Sequence, residues 1–437
     1  MSKYILKNCI LYDGKKNSEF IKNSTIIVED SYIKEVYKGE DYNLREVGDQ
    51  YEVIDMQGKY VMPGMINLHA HLFANGQPSR ATGDFTNNSK TQEKMLIYYK
   101  SKEGSEKICN AMLTNVQAAL YSGVTTVRSV GDFFYYDVMV RDQINRGEVE
   151  GPRLKVSGPI VTVPGGHGAG TVGIVGHTKE ELKVLVKQNY DNHVDLIKIC
   201  VTGGVADAKK AGEPGELKMT LEQTQAVCDA AHEMGLQVAS HCESKEGIRI
   251  ALKAGVDTIE HGSFMDDEII DLFHKNGSSL TCTLSPALPL AHYSSDVTML
   301  NELSQVNAKV VLEGMIKGLN TAKKNNIPIG LGTDAGCPFA YHHAFWRELI
   351  YYKKYVGGSN LEILHKATLE NAQMIRIDDE TGSIEPGKAA DIIVLSNNPA
   401  EDLSALRNID MVMARGNLIR NPKVNRDEKV EDEMLLL

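Results

Sequence analysis

The sequence predicts an α/β protein: a (β/α)8 TIM-type barrel joined to a small β-sandwich built from both chain ends. Three observations carry this reading. Eight strand-like runs recur through the middle of the chain, separated mostly by segments of helical period, as in a parallel barrel. Short β-type runs and turns, with no helical period, fill both ends. Polar residues able to bind metal fall late in five of the eight middle runs, and in a barrel the C-terminal strand ends converge on one face. The division that follows is 1–62 for the N-terminal part of the small domain, 63–380 for the barrel, and 381–437 for the C-terminal part and a tail.

The elements follow in order. YILKNCILYDG, STIIVEDSYIKEVYKG and YEVIDMQGKYVMPG open the chain as strands and turns. The barrel runs are GMINLHAHL (64–72), GVTTVRSV (123–130), PRLKVSGPI (152–160), DLIKICVTG (195–203), LQVASHCES (236–244), VDTIEHGSF (256–264), SSLTCTLSP (278–286) and IPIGLGTDAG (327–336). LEQTQAVCDAAHEMG and KEGIRIALKAG read as helices between them, each ending near glycine, the residue that best accepts a left-handed helix end. GSIEPGKAADIIVLS and DMVMARGNLIR return to the β pattern. The closing NPKVNRDEKVEDEMLLL is charged and is expected to be loosely held.

Composition narrows the function classes. With 24% charged and 42% hydrophobic residues in a chain of 437, this is an ordinary globular protein. A formal charge of −11 argues against a nucleic-acid backbone as partner. A small substrate remains compatible, because a site's local charge can oppose the global sign. The seven cysteines are dispersed with no CxxC pair, as reduced thiols of a cytoplasmic protein would be. The opening MSKYILKNCILYDG lacks the apolar core of a signal peptide, and no run approaches the length of a membrane span. No membrane partner is expected.

The stretch VDLIKICVTGG places a lysine inside an otherwise apolar strand. Alternation puts Leu196, Lys198 and Cys200 on one face and Ile197, Ile199 and Val201 on the other. A core strand tolerates a lysine only if its amine has chemistry to do. Desolvation lowers an amine's pKa and raises its neutral fraction. A neutral amine can add carbon dioxide, and the resulting carbamate can bridge two divalent metals as a carboxylate would.

The candidate ligands are ordered along the strands. The first run ends His69-Ala70-His71, the fourth carries Lys198, the fifth ends at His241, the sixth contains His261, and the eighth ends at Asp334. Histidines at i and i+2 of a strand point the same way, so His69 and His71 can grip one ion. Imidazole and carboxylate suit zinc, manganese or iron, and zinc is the expected metal. His193, His232, His274 and His365 read as helical or loop residues and are set aside.

PGMINLHAHL, DLIKICVTGG, VASHCES, TIEHGSF and GLGTDAG, in that order, with the closing TGSIEPGKAADIIVLSNNP, resemble the amidohydrolase superfamily over nearly the whole chain. The strand lysine resembles its binuclear-metal branch. TTVRSVG, PGGHGAG, IKICVTGG, HCES and IEHGS are similar to the prolidase-like members, which act on dipeptides and N-acyl amino acids. The resemblance implies two divalent metal ions: His69, His71 and Asp334 on one, His241 and His261 on the other, and carboxylated Lys198 between them. It implies hydrolysis of an amide C–N bond by a metal-bridging hydroxide, with Asp334 as the catalytic proton shuttle. It implies that His167, in PGGHGAG, contacts the substrate's carboxylate or carbonyl oxygen, and that the enzyme is a homo-oligomer.

Two departures bear on the substrate. Members commonly carry an acidic residue after the arginine of the second strand, where this chain has Arg128-Ser129. Some place a substrate-holding tyrosine where this chain reads Lys218-Met219-Thr220. Arg128 can pair with a substrate carboxylate or make a structural salt bridge, and His342 and His343 have no assigned role. The GxGxxG pattern at 168–173 lacks an adjoining helix and a following ribose-binding acid, so it does not indicate a dinucleotide. GxSxG, HExxH and P-loop motifs are absent. The alternatives are a mononuclear cyclic-amide hydrolase or deaminase (imidazolonepropionase-like), a binuclear hydrolase for a xenobiotic or cyclic substrate, and a non-catalytic scaffold of the same superfamily.

Overall fold

All eight middle runs form strands in the computed structural model, which describes residues 3–39, 50–78, 89–205 and 207–437. The N-terminal side supplies β1 (Lys3–Leu11), β2 (Ile21–Glu29), β3 (Tyr32–Tyr37), β4 (Glu52–Asp55) and β5 (Tyr60–Pro63). The middle supplies β6 (Met65–Ala70), β7 (Val124–Ser129), β8 (Arg153–Val156), β9 (Ile160–Thr162), β10 (Gly173–Val175) and β11 (Leu196–Cys200). It continues with β12 (Gln237–Cys242), β13 (Thr258–His261), β14 (Ser279–Cys282) and β15 (Ile329–Leu331). The C-terminal side adds β16 (Ile392–Leu395), β17 (Met411–Ala414) and β18 (Asn417–Arg420).

Both chain ends share one eight-stranded sheet of order β18-β17-β16-β5-β1-β2-β3, with β4 beside β1. β5 is the seam: it runs parallel to β1 and antiparallel to β16. Alternating residues such as Leu6, Ile26, Val28, Val61 and Ile392 form the apolar core of this unit. The chain then passes through Gly64 directly into β6.

The middle strands lie in two parallel sheets, β6-β7-β8 and β10-β9-β11-β12-β13-β14-β15. Backbone hydrogen bonds cross between them. The His71 amide donates to the Ala335 carbonyl at 2.7 Å, the Asp334 amide to His69 at 2.9 Å, and the Asp195 amide to Val156 at 2.7 Å. Helices pack outside this layer through a large apolar core that includes Ile197 and Ile199, while Leu196, from the opposite face of β11, meets Val130 and Ala239. The two faces inferred for this strand are therefore both buried, against different partners. Helix starts follow sequence signals, as where Thr220 and Gln223 form a reciprocal capping box before Leu221–Glu233.

Two expectations are corrected. PRLKVSGPI is not one strand: it breaks into β8 and β9 around Gly158 and Pro159. Gly158 takes φ +62° and Pro159 has no amide for the ladder. The tail is not loosely held. Residues Glu428–Leu435 form a helix capped by Asp427, with Glu431 and Met434 buried. Glu431 binds His343 at 2.9 Å and Arg347 at 2.7 Å, and the Tyr351 hydroxyl donates to the Met434 carbonyl at 2.5 Å. All seven cysteines are free thiols. Among the described residues no helix is long and apolar enough to cross a membrane.

Candidate metal centre

The C-terminal ends of β6, β11, β12 and β13, and the turn after β15, carry the expected ligands to one place. The imidazole rings of His71, His69, His261, His241 and His167 follow one another as an arc, with successive centroids 5.5, 4.8, 4.6 and 4.4 Å apart. The Nε2 atoms of His69 and His71 each lie 3.3 Å from Asp334 Oδ1. These three side chains are a group whose donor atoms fall within 4.8 Å of one another, close enough to share an ion. His69 Nε2 and Asp334 Oδ1 are both buried without a hydrogen-bond partner. Orphaned donors of this kind fit a cation.

The other ring nitrogens are committed. His69 Nδ1 meets Glu260 at 2.7 Å, His71 Nδ1 donates to the Gly131 carbonyl at 2.7 Å, and His261 Nδ1 meets Thr283 Oγ1 at 2.8 Å. His241 reverses the pattern, with Nε2 donating to the Gly203 carbonyl at 3.1 Å. Each imidazole thus has one nitrogen fixed by the protein and one left over, the outer support that metal-binding histidines require. Burial, then the neighbouring His167, His261 and Lys198 charges, hold His241 well below the ordinary histidine range. Burial and His69 do the same to His261. Both are neutral at physiological pH and present lone pairs. Burial pushes the Asp334 carboxyl up, but His69 and His71 outweigh it and hold the group well below its usual range.

His261 and Asp334 have φ of 69° and 55°, left-handed values that cost a non-glycine residue about 1–2 kcal/mol each. Such strain is retained where a side chain must be aimed. At His261 it lets consecutive residues serve one site, because Glu260 also points inward.

Lys198 is only 2% exposed, sits beside Ala239 across the β11–β12 ladder, and makes no hydrogen bond or salt bridge among the described residues. Glu260 binds His69 on one side and the Arg128 guanidinium, at 2.7 Å, on the other. Arg128 further donates to the Leu68 carbonyl at 2.6 Å and to Thr258 and Thr281. Of the two roles open to Arg128, the structure selects the structural salt bridge. His342 Nε2 donates to the Ala74 carbonyl at 2.8 Å. His343 holds the tail through Glu431.

His167 stacks on His241 with the ring planes 7° apart and pairs through Nδ1 with Asp207. Burial opposes ionisation of Asp207, yet His167 brings its carboxyl down to about 2. Glu243 stands two residues beyond His241. Burial, then repulsion from Asp207 and Asp334, pushes its carboxyl up to about 8.

A model of the amidohydrolase family matches residues 60–419. The chain belongs to the amidohydrolase family. A protein from Bifidobacterium longum, provisionally described as a prolidase, has a solved structure 38% identical, covering 100% of this chain and 98% of that one, with a TM-score of 0.85. An Xaa-Pro dipeptidase solved with methionine in its active site is 31% identical, covers 96% of this chain and 100% of that one, and gives a TM-score of 0.82. Ochratoxinase of Aspergillus niger is 24% identical over 96% of this chain and 88% of its own length. With these hydrolase relatives, this amidohydrolase is an enzyme acting on carbon–nitrogen bonds.

Three residues of the site, Glu243, Glu260 and Asp207, escape the sequence reading. Glu260 and Glu243 each flank a ligand within a quoted motif, TIEHGSF and VASHCES, and an acid that close to a strand-end histidine is the available signal. Asp207 lies in the loop after β11, where no pattern marks it.

Proposed function

We propose that this amidohydrolase hydrolyses the amide bond of dipeptides or N-acyl amino acids at a two-metal centre. One metal would be held by His69, His71 and Asp334 and the other by His241 and His261, with carboxylated Lys198 between them and zinc as the expected ion. The observation that carries the reading is the partnerless buried amine of Lys198, whose charge reaches His241 and His261, imidazoles that each keep one nitrogen free. A mononuclear centre, the alternative shared with imidazolonepropionase-like enzymes, gives that amine nothing to do. The prolidase-like relatives support the substrate class. The two parallel sheets, joined through Ala70 and Ala335 on one side and Val156 and Asp195 on the other, support a single (β/α)8 barrel.

Divalent metal, when bound, supplies a water of lowered pKa and a Lewis acid for the substrate carbonyl. The chain's own groups do the rest. Asp334, held ionised, accepts a proton and returns it to the leaving nitrogen. His167, oriented by Asp207, binds the substrate's carboxylate or carbonyl oxygen. Glu260 fixes the ring of His69. The test is amine release from a panel of Xaa-Pro, Xaa-Arg, Xaa-Lys and N-acyl amino acids, using metal-loaded, bicarbonate-treated protein. Turnover of one class is expected and names the leaving group. Silence across the panel with metal bound would redirect the assignment to cyclic amides.

A further inference from the structure

We infer that Phe73, backed by Phe133, Phe134 and Tyr99, is the seat for an apolar side chain of the substrate, so that this enzyme selects amides bordered by a large apolar residue. The inference deepens the proposed function and rests on it for the position of the scissile amide.

The arc of imidazoles is not covered equally. His71 is the most exposed of the four candidate ligand rings, its side chain 16% accessible, while His69, His241 and His261 are buried. Phe73 stands at that open edge, with its ring centroid 6.1 Å from that of His71 and the planes tilted by 58°. The ring is half-buried, although the backbone beneath it is fixed. The Phe73 amide donates to Asp132 Oδ1 at 3.0 Å, and Asn115 Nδ2 donates to the carbonyls on either side, Leu72 at 2.8 Å and Ala74 at 3.0 Å. A loop held this firmly presents its ring without an ordering cost when a ligand arrives.

Aromatic rings continue behind Phe73. Phe133 lies 4.9 Å from it between centroids, and Tyr99 and Phe134 lie 5.2 and 6.1 Å from Phe133. Tyr136 fixes the Tyr99 backbone by donating its hydroxyl to the Tyr99 carbonyl at 2.7 Å. Phe133 is buried, whereas Phe73, Tyr99 and Phe134 keep part of their surface uncovered. The backbone gives a second, independent sign. Phe134 and Tyr135 have φ of 54° and 127°, consecutive positive values that are unfavourable for bulky residues and persist where side chains must be aimed. This turn sends Tyr135 to Asn189, at 2.9 Å, and keeps Phe134 beside Phe133.

The wall's chemistry selects its ligand. Its rings carry no charge, and Lys100 stands only at the far end, 5.1 Å from the Phe134 centroid. An apolar side chain laid against Phe73 removes water from both surfaces. A charged one would give up its hydration against carbon.

The test measures kcat/KM on two dipeptide series, Xaa-Ala and Ala-Xaa, with Xaa as Ala, Leu, Phe or Asp. Wild type is compared with Phe73→Ala and Phe73→Leu, and metal content is measured on each. Burying a side chain of this size alters affinity by roughly ten- to hundredfold. In one of the series wild type should favour Leu and Phe over Ala by about tenfold or more. Phe73→Ala should lower that ratio by about fivefold or more with metal content unchanged, and Phe73→Leu should recover most of it. No apolar preference in either series, a preference for Asp, an unchanged ratio in Phe73→Ala, or loss of metal in that variant would overturn the inference, the last by showing that the ring supports His71 instead. Calorimetry with 3-phenylpropanamide and propanamide, which share an amide and differ by a phenyl group, separates the seat from the proposed function. Wild type should bind the first about tenfold more tightly or better, and Phe73→Ala should narrow the gap. That result with silent dipeptide series would sink the peptidase reading alone. Dipeptide cleavage with equal affinity for the two amides would sink the seat alone.

Discussion

Glu260→Gln tests whether the metal centre depends on a support that touches no substrate. Glu260 is fully buried and accepts from the Arg128 guanidinium at 2.7 Å and from Thr258 at 2.7 Å, with His69 Nδ1 at 2.7 Å on its other oxygen. Glutamine keeps the shape but has one acceptor oxygen and no charge. If that oxygen stays with His69, the new amide group faces Arg128 donor to donor. Removing one partner of a buried ion pair costs about 3–5 kcal/mol. The low end is expected here, because Arg128 retains Leu68, Thr258 and Thr281 as neutral acceptors. Losing the carboxylate behind a metal-binding histidine weakens metal by roughly ten- to a hundredfold. Chelator competition measures the second effect and urea denaturation the first. The double variant Glu260→Gln/Arg128→Met separates them: with both charges gone, stability should recover by at least about 1.5 kcal/mol while metal affinity stays low. Wild-type metal affinity in Glu260→Gln, or recovery of affinity together with stability in the double variant, would refute the reasoning.

Other expectations follow from the same geometry. Lys198→Ala should drop metal content from about two ions per chain under bicarbonate; unchanged content by metal analysis would exclude a bridging role for the lysine. Asp334→Asn should retain metal yet lose on the order of 10²–10⁴ in kcat, the range for a positioned acid–base group; full turnover would remove Asp334 from the proton path. Glu431 is pushed up by burial but brought down to about 2 by His343 and Arg347. A depressed folded-state pKa gives stability that is complete above the unfolded value near 4.5 and is lost as pH falls toward 2, here about 3 kcal/mol. Denaturant midpoints measured between pH 6 and 3 should therefore fall more steeply for wild type than for Glu431→Gln, and parallel curves would contradict the docked tail.

The strands and the candidate ligands were legible because buried parallel strands are near-continuous apolar runs, against which His69, His71, Lys198, His241, His261 and Asp334 stand out. Glu260 was not, because two-residue alternation assigns it and His261 to opposite faces. The left-handed φ of His261 cancels that rule, and nothing local announces it. The tail helix was hidden by its own charge. EKVEDEML reads as a solvated run until Arg347 and His343, more than eighty residues earlier, provide partners for Glu431. The acids of the neighbouring loops were illegible for a related reason: Asp207 and Glu243 gain meaning only from His167 and Gly204, which neighbour them in space.

The seam at β5 sets the order in which this chain can mature. β5 leaves the ribosome early, but the strand that covers one of its edges, β16, is translated more than three hundred residues later. Throughout synthesis of the catalytic layer, that edge is an open row of amides and carbonyls beside apolar Val61 and Met62, a template for pairing with other nascent chains. Fragments ending before β16 should therefore aggregate even where every metal-binding residue is present. Yield of the enzyme should respond to chaperones that shield strand edges, and metal supply alone should not rescue it.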